Sequence, residues 1–429
     1  MSFGFIPPEI WNGFLLAFKY VYIAAPIWLP AAFLVACFNA WIYYRRTQFW
    51  QKEGSVLLEI KLPREIMKSP LAMEVVLGAF HQTGSETTWI DRIWKGQTRS
   101  WFSLEIVSLE GNIRFFIWTK PRHRNVIESQ IYSQYPGVEI YEAEDYTKPF
   151  YYNPNKNEIW ACEFKLTKPD PFPIKTYVDY GLDRDPKEEF KIDPMTPMIE
   201  FWGSMTAGHN IWVQILIRAH KDKKRKPLKW EDKWKKLAWY EKVDAWEDEA
   251  KEETEKIIEQ YKPKDKTEYG RYPTKGEIDI IASLERSTSK FPFDCGIRAI
   301  YIADKDKFDP ANIGGVIGSL KQYNSLNLNG FKHTGWLSIF DYPWQEFFYY
   351  PWQEWLLKKE ELKPKVLEEY KFRRFFFSPW KDRIFYSKPF VLNVEELATI
   401  YHFPGAVAGT PTLEKIPSLK SKAPSNLPI

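Results

Sequence analysis

The residues with the clearest chemical potential form a basic stretch interleaved with tryptophan, at the start of a charged segment that spans residues 221–266. Lysine and arginine neutralise phosphates, and aromatic rings stack on unpaired bases, so this composition suits a nucleic acid or an acidic partner. Residues 241–259 are mostly acidic and would repel the same ligand. Packing within the protein or between subunits is therefore the competing interpretation. The candidate contact residues are Lys223, Lys224, Arg225, Lys226, Lys229 and Lys233.

A second chemical feature is a set of aromatic residues between Gly335 and Trp380, in which the pattern Tyr-Pro-Trp-Gln-Glu occurs at Tyr342 and again at Tyr350. An exposed aromatic patch of this size is typical of a contact surface for a protein or a membrane. Arg373 to Phe377 adds a second cluster of the same kind. A loop packed back over the preceding domain is the alternative. The candidate interface residues are Trp344, Phe347, Trp352 and Trp355.

Catalytic patterns are missing from the sequence. The six histidines are never at a metal-binding spacing with one another or with cysteine. Gly314, Gly315 and Gly318 lack the Gly-Lys-Ser/Thr that cradles phosphates, and no nucleophile elbow or dinucleotide fingerprint occurs. We therefore expect a protein without enzymatic activity, metal or cofactor. The net charge of +4 is too small to indicate nucleic-acid binding by itself.

An apolar run from Tyr20 to Tyr44 contains no charged residue. Because a spanning helix needs roughly 20 apolar residues, the run predicts a transmembrane helix at 20–44 after an extracytoplasmic segment at 1–19. Basic residues follow the run, so the positive-inside rule places the N-terminus outside and the C-terminal bulk in the cytoplasm, at the inner cell membrane. A cleaved signal peptide is disfavoured by the length of the run. The anchor residues are Tyr20, Trp28, Trp41, Tyr44, Arg45 and Arg46.

The three cysteines give no paired spacing and no metal-ligand pattern, so we expect them to be reduced. Reduced thiols agree with a cytoplasmic bulk.

Residues 54–147 alternate between strand and helix patterns. Val56 to Ile60 is a β-rich run, and Ser69 followed by Pro70 begins a helix. Two alternating runs flank Glu110-Gly111-Asn112, which is typical hairpin chemistry. A second helix ends at Pro136-Gly137 before a last strand. The order β-α-β-β-α-β predicts a ferredoxin-like domain, in which two helices cover one face of a four-stranded antiparallel sheet.

Residues 157–330 read as a looser second copy of the same sandwich, so we predict an α+β protein with two ferredoxin-like domains. The charged segment at 221–266 interrupts this copy and lacks glycine and proline between Leu228 and Tyr261. Its helix-forming composition predicts a long exposed helix or helical hairpin.

The C-terminal part begins with an aromatic interface region at 331–388. At 389–404, Asn393 with Glu396 three residues later predicts a short helix with a capping box. The remaining tail at 405–429 is rich in proline, serine and lysine, which is typical of a linker or a binding tail.

The chain resembles the non-ATPase N-terminal region of membrane-anchored type IV secretion and conjugation ATPases. The resemblance covers nearly the whole chain and is carried by the apolar anchor, by Leu57-Leu58-Glu59-Ile60-Lys61-Leu62-Pro63, by Tyr135-Pro136-Gly137-Val138-Glu139, and by Phe390 to Pro404 with its Glu395-Glu396-Leu397-Ala398 and His402-Phe403-Pro404. In that family an ATP-driven motor follows this region. The sequence here stops at Asn426-Leu427-Pro428-Ile429, where the motor would begin, so no catalytic residue carries over.

The resemblance implies a membrane-anchored, non-enzymatic component of a transfer machine that recruits a cytoplasmic P-loop ATPase. Its expected partners are the lipid bilayer, the ATPase, other membrane-complex subunits and further copies of the same chain. The alternatives are a membrane-tethered module that binds nucleic acid and a structural membrane protein of an unrelated assembly.

Overall fold

The computed structural model of the protein describes residues 8–63, 68–82, 84, 88–183, 193–221, 223–227, 240–259, 261, 272–334, 359–376 and 388–405. The predicted α+β class is confirmed, and its centre is a nine-stranded antiparallel sheet. The chain divides into two compact units, of which the first comprises Met1–Gly54 and Gly84–Thr98 and the second comprises Ser55–Thr83 and Arg99–Ile429.

The elements are numbered here in chain order. The helices are α1 (Pro8–Glu53), α2 (Pro70–Gly78), α3 (Trp89–Ile93), α4 (Arg124–Gln134), α5 (Thr196–Gly203), α6 (Ala245–Glu259), α7 (Lys275–Thr288), α8 (Pro310–Lys321), α9 (Lys359–Lys371) and α10 (Val394–Ile400). The strands are β1 (Val56–Lys61), β2 (Phe102–Leu109), β3 (Asn112–Thr119), β4 (Glu139–Glu142), β5 (Asn157–Leu166), β6 (His209–Ala219), β7 (Lys223–Pro227), β8 (Tyr240–Asp244), β9 (Pro292–Asp304), β10 (Phe331–Thr334) and β11 (Phe390–Asn393).

The first half of the sheet contains β1 to β4, in the spatial order β2-β3-β1-β4. The predicted hairpin is confirmed between β2 and β3, where Glu110 and Gly111 both have positive φ angles, as the tight primed turns require. The predicted helix after Ser69 is also confirmed as α2, with Pro70 in its first turn. Helices α2 and α4 bury their apolar side chains against the same face of the sheet.

The second half repeats this arrangement with β5, β6, β9 and β10, in the spatial order β10-β5-β9-β6. Its two helices are α5 after β5 and α8 after β9. Helix α8 begins at Pro310, and Asp309 caps it by accepting a hydrogen bond from the Ala311 amide. Helices α6 and α7 and the strands β7 and β8 are inserted between β6 and β9.

The two halves share one sheet, because β2 pairs with β6 from Phe102 opposite Ile217 to Leu109 opposite Asn210. This pairing covers an edge that each half would otherwise expose. One apolar core continues through both halves on the helical face of the sheet. The sequence predicts two sandwiches but gives no sign that their edges join.

The charged insertion differs from the helix predicted for it. Within its described residues, 223–227 and 240–244 form the two-stranded ribbon of β7 and β8, and Ala245–Glu259 forms the helix α6. The register sets Lys223 opposite Asp244, Arg225 opposite Lys242 and Lys226 opposite Glu241. The helix prediction rests on local helix propensity, which does not take this long-range strand pairing into account.

The first unit contains α1 and α3. The apolar run predicted to span a membrane lies within α1, a continuous helix that includes Pro26 and Pro30. Among the helices in the described ranges, none is both long enough and apolar enough to cross a bilayer. The predicted transmembrane helix at 20–44 is therefore not supported.

The packing of α8 gives a direct test of the second half. A side chain at Gly315 would meet the Phe201 ring of α5, whereas nothing lies within 4 Å of a side chain added at Gly314. Replacing a helical glycine by alanine adds about 1 kcal/mol of stability where space allows. We expect Gly314→Ala to raise the free energy of unfolding in urea and Gly315→Ala to give less or to lower it. Equal gains from both variants would contradict the observed packing of α5 on α8.

Candidate functional site

The most distinctive feature of the second unit is a C-terminal region that covers both faces of the shared sheet. We define the C-terminal clamp as residues 359–376, which contain α9, together with residues 388–405, which contain β11 and α10. Residues 388–405 join the apolar core on the helical face. Residues 359–376 lie against the opposite face, because their partners Glu105, Gln214 and Arg298 alternate along their strands with core residues.

A polar row crosses the face that α9 covers. Glu105 of β2 lies opposite Gln214 of β6, Gln214 opposite Arg298 of β9, and Arg298 opposite Glu163 of β5. All four side chains are buried. Buried charges destabilise a protein unless each has a partner, so this row requires partners from outside the sheet.

Arg373 is the main partner of the row. Its guanidinium donates to both carboxylate oxygens of Glu105, from Nε to Oε1 at 2.9 Å and from Nη2 to Oε2 at 3.1 Å. It also donates to Asp145, from Nη2 to Oδ1 at 3.2 Å. Arg373 is only 1% exposed. Fork-shaped arginine–carboxylate pairs of this kind are among the strongest hydrogen-bonded contacts in proteins.

Glu105 is fully engaged by its surroundings. Besides Arg373, it accepts hydrogen bonds from Ser103 Oγ at 2.7 Å, Tyr146 Oη at 2.8 Å and Gln214 Nε2 at 3.0 Å. The Tyr146 hydroxyl lies 3.0 Å from that of Tyr370 on α9, and burial raises the pKa of both tyrosines. The cluster therefore keeps neutral phenols around one arginine–carboxylate pair.

The pKa values of the charged partners follow the same pairing. Burial opposes ionisation of Asp145, but the Arg373 guanidinium outweighs it and holds the pKa of that carboxyl below its usual range. Burial likewise opposes the charge on Arg373, and Glu105 outweighs it and raises the arginine pKa. Each charge is thus stabilised by the other despite burial.

Arg298 joins the row to the backbone of the clamp. Its Nη1 donates to the Glu369 carbonyl at 3.0 Å and its Nη2 to the Arg374 carbonyl at 2.7 Å, while Nη2 lies 3.3 Å from Glu163 Oε1. The Phe375 ring also packs directly on the backbone of Gly296 in β9, where an added Cβ atom would overlap the ring. Residues 369–375 are therefore fixed on β9 by both charge and shape.

On the helical face, α10 is buried at every residue. The predicted capping box is confirmed, because the Glu396 amide donates to Asn393 Oδ1 at 2.9 Å and the Asn393 amide to Glu396 Oε2 at 2.8 Å. Glu396 Oε1 also accepts the Ile174 amide at 2.8 Å. Burial raises the pKa of Glu396 to about 8.

Helix α10 and the residues after it contact both halves of the sheet unit. Toward the second half, Thr399 Oγ1 accepts the Tyr177 amide at 3.0 Å and Glu395 lies 2.8 Å from Lys290 Nζ. Toward the first half, Tyr401 Oη donates to the Phe116 carbonyl at 3.2 Å. The clamp therefore bridges the two halves on this face as well.

Asp193 fixes the point at which the chain leaves the clamp. Its Oδ1 lies 3.2 Å from His402 Nε2, and the Gly405 amide hydrogen-bonds the same carboxylate. Burial would raise the pKa of Asp193, but His402 outweighs it and lowers the pKa. The segment at 405–429 thus departs from an anchored residue, and residues 406–429 lie outside the described ranges.

The residues predicted as a nucleic-acid site are not brought into a described surface. The backbone of β7 contains Lys223, Lys224, Arg225 and Lys226, and only their strand pairing is described. Lys229 and Lys233 lie outside the described residues, as do all four predicted interface aromatics. Those aromatics are Trp344, Phe347, Trp352 and Trp355.

The predicted anchor residues fall into two groups along α1. Tyr20, Trp28 and Tyr44 are exposed. Trp41 packs edge-on against Trp94, and Arg45 Nε donates to the Trp94 carbonyl at 2.5 Å. Arg46 follows Arg45 in the same turn and is partly buried. The anchor prediction itself concerns the membrane, which these contacts do not test.

For the cluster at Arg373 to Phe377, the structure favours the alternative of packing over the preceding domain, because Arg373 and Phe375 are both buried against the sheet and do not form an exposed contact surface. Sequence reasoning also missed the polar row. The signal was present, because Glu105, Glu163 and Arg298 each stand between two apolar neighbours in a strand, and a charge in a buried strand requires a partner.

The contacts of the C-terminal clamp are suited to holding segments of the chain together. Among the described residues, no group of three or more histidine, cysteine or acidic side chains is placed to hold a metal ion. The shifted carboxyl and phenol groups of the clamp are hydrogen-bonded to the segments that they fix.

A family model described as a domain of unknown function (DUF8128) matches residues 47–337. No curated protein matches the chain.

The central ion pair can be tested by a double-mutant cycle. Breaking a buried pair from one side leaves an uncompensated charge, so we expect Arg373→Met to lower the free energy of unfolding by about 3–5 kcal/mol. Adding Glu105→Gln should restore part of that loss. The control is the exposed neighbour in Arg374→Met, for which we expect a change within about 0.5 kcal/mol. Additive effects of the two core substitutions in urea denaturation would contradict the pairing.

The buried carboxyls of the helical face predict a dependence of stability on pH. The folded-state pKa of Glu396 is about 8, above its ordinary value of 4.5, so between these values the folded chain keeps a proton that the unfolded chain has lost. The free energy of unfolding should therefore fall as pH rises from 4.5 to 8. Burial also raises the pKa of Asp170, which accepts the Val391 amide, to about 6.

Two variants separate the contributions of Glu396 and Asp170 to this pH dependence. We expect Glu396→Gln to flatten the decline between pH 6 and 8, and Asp170→Asn to flatten only the part below about pH 6. Urea denaturation of both variants across this range makes the comparison. The same pH dependence between pH 6 and 8 in the wild type and in Glu396→Gln would show that Glu396 is already ionised in the folded protein.

Proposed function

The chain belongs to the DUF8128 family, and we propose that it is a membrane-associated, non-enzymatic scaffold that presents its C-terminal tail to a cytoplasmic ATPase of a type IV secretion or conjugation machine. The observation that carries the proposal is the anchored exit at Asp193. Two rigidly joined halves end in a fully buried helix, and a tail rich in proline and lysine follows at once. A tail released from a fixed point keeps its binding residues at a high effective concentration near the scaffold.

Each half of the sheet unit is, in this proposal, a ferredoxin-like module. The support is the strand order, which is the same in both halves and places the first and third strands side by side in the middle. Joining two such modules by their edge strands gives a broad, stiff platform. Such a platform is suited to positioning a partner.

Membrane association is supported by the surface of α1. Between Leu16 and Phe38 the large apolar side chains that are described are exposed. Contiguous apolar surface of this extent marks a membrane or protein contact. Attachment at a lipid surface would bring the scaffold to the machine that it serves.

Nucleic-acid binding is the weaker candidate. The backbone of Lys223 to Lys226 is paired in the ribbon of β7 and β8, which favours a structural role for at least part of the basic stretch. No contact of the described residues favours the nucleic-acid alternative.

The proposal predicts that the tail, and not the folded clamp, retains the ATPase. We expect deletion of residues 406–429 to remove a P-loop ATPase from material purified in mild detergent, without altering the thermal unfolding of the remaining chain. The matched control replaces residues 406–429 by a glycine-serine linker of equal length, which keeps the length but removes the sequence. That control should also lose the ATPase.

Three results bear on the proposal in different ways. Recovery of the ATPase with the linker variant would show that the ATPase binds the folded part of the chain and not the tail. Recovery of no ATPase or channel subunit with the intact chain would contradict the proposal as a whole. If the deletion also unfolded the rest of the chain, the thermal unfolding measurement would reveal it. We expect no such unfolding, because the described structure ends at Gly405.

A further inference from the structure

Helix α3 exposes an aromatic and basic surface that the proposed scaffold does not use. Its five residues include Trp89 and Ile90, and Trp94 follows directly; these side chains are 61%, 46% and 53% exposed. Arg92 is exposed on the same short helix, and the Lys95 side chain is 59% exposed. We define this surface, residues 89–95, as the α3 platform.

The α3 platform is seated firmly on α1. Trp94 packs edge-on against Trp41 with ring centroids 5.7 Å apart, and the Trp94 carbonyl accepts Arg45 Nε at 2.5 Å. At Gly96, whose φ is +67°, an added Cβ would lie 2.4 Å from the Arg45 backbone. The chain therefore touches the main chain of α1 at this point, and the exposure of Trp89 and Ile90 does not arise from a loose helix.

The place along α1 at which α3 packs indicates what covers the α3 platform. Exposed apolar residues occupy α1 up to Phe38, and the first basic residues after them are Arg45 and Arg46. Trp41 and Tyr44 lie between. Tryptophan and tyrosine prefer the boundary between hydrocarbon and headgroups, where basic side chains attract anionic lipids. The α3 platform is thus level with a turn of α1 that combines aromatic and basic side chains.

We propose that the α3 platform is a second lipid contact, which lies in the headgroup region of an anionic membrane and fixes the orientation of α1 at that surface. Trp89, Ile90 and Trp94 enter the boundary, and Arg92 pairs with lipid phosphates. Asp91 does not oppose this, because Lys95 lies 2.8 Å from it and neutralises it. The inference rests on the proposed membrane association and adds the residues and the lipid class.

The test places an environment-sensitive NBD label at Ile90→Cys in the full chain. A Cys37→Ser background removes the exposed cysteine and leaves only the buried Cys162 and Cys295. The labelled protein is mixed with phosphatidylcholine–phosphatidylglycerol vesicles, floated on a density gradient and titrated with vesicles whose lipids have a nitroxide near the headgroup. The control label is at Leu326→Cys, an apolar residue that is 98% exposed in the other unit.

We expect the Ile90 label to shift to shorter wavelength and to lose about half of its emission to the nitroxide lipids, because interfacial helices bury their apolar face about 5–10 Å into the boundary. The Leu326 label should do neither. Gly96→Ala, which forces α3 off α1 without changing an apolar side chain, should reduce the quenching at Ile90.

The failures are distinguishable. A chain that floats while its Ile90 label is unquenched overturns the inference and leaves the proposed membrane association standing. A blue shift without quenching shows that protein covers the platform, and also overturns the inference. A chain that does not float contradicts the membrane association itself.

Discussion

The contact between Arg373 and Glu105 is the constraint on which the described sheet unit depends. Glu105 lies in the strand by which the first half joins the second, with no exposure to solvent. An ionised carboxylate there is tolerated only if a cation and several hydrogen bonds replace water. Arg373 supplies the cation from a segment that is distant in sequence, so the two halves and the C-terminal clamp must come together at this point.

The rest of the architecture follows from that closure. Arg298 extends the same solution to β9 by binding carbonyls of the clamp. Residues 388–405 contribute β11, which pairs with β9, and α10, which enters the core on the helical face. The two faces are held by different physical means. Paired charges fix one face, and a wholly buried, capped helix fixes the other. After α10, the last described residue, Gly405, is held by a hydrogen bond from its amide to the carboxylate of Asp193.

Local chemistry made much of this fold predictable. The hairpin at Glu110-Gly111, the proline-initiated helices and the capping box at Asn393 all depend on residues close together in sequence. The strand pairing of β2 with β6, the ribbon of β7 and β8, and the burial of Arg373 depend on partners far along the chain, which periodicity does not identify. The polar row lies between these cases, because its isolated charges show in the strands while their partner does not.

Native-state hydrogen exchange followed by mass spectrometry tests the clamp most directly. If the clamp holds the two halves together, amides of β2, β6 and residues 362–375 should exchange in one cooperative opening, and Arg373→Met should lower the protection of all three by the same free energy. If β2 and β6 keep their wild-type protection in Arg373→Met while only residues 362–375 exchange faster, the clamp is a passive cover and the central contact does not join the halves.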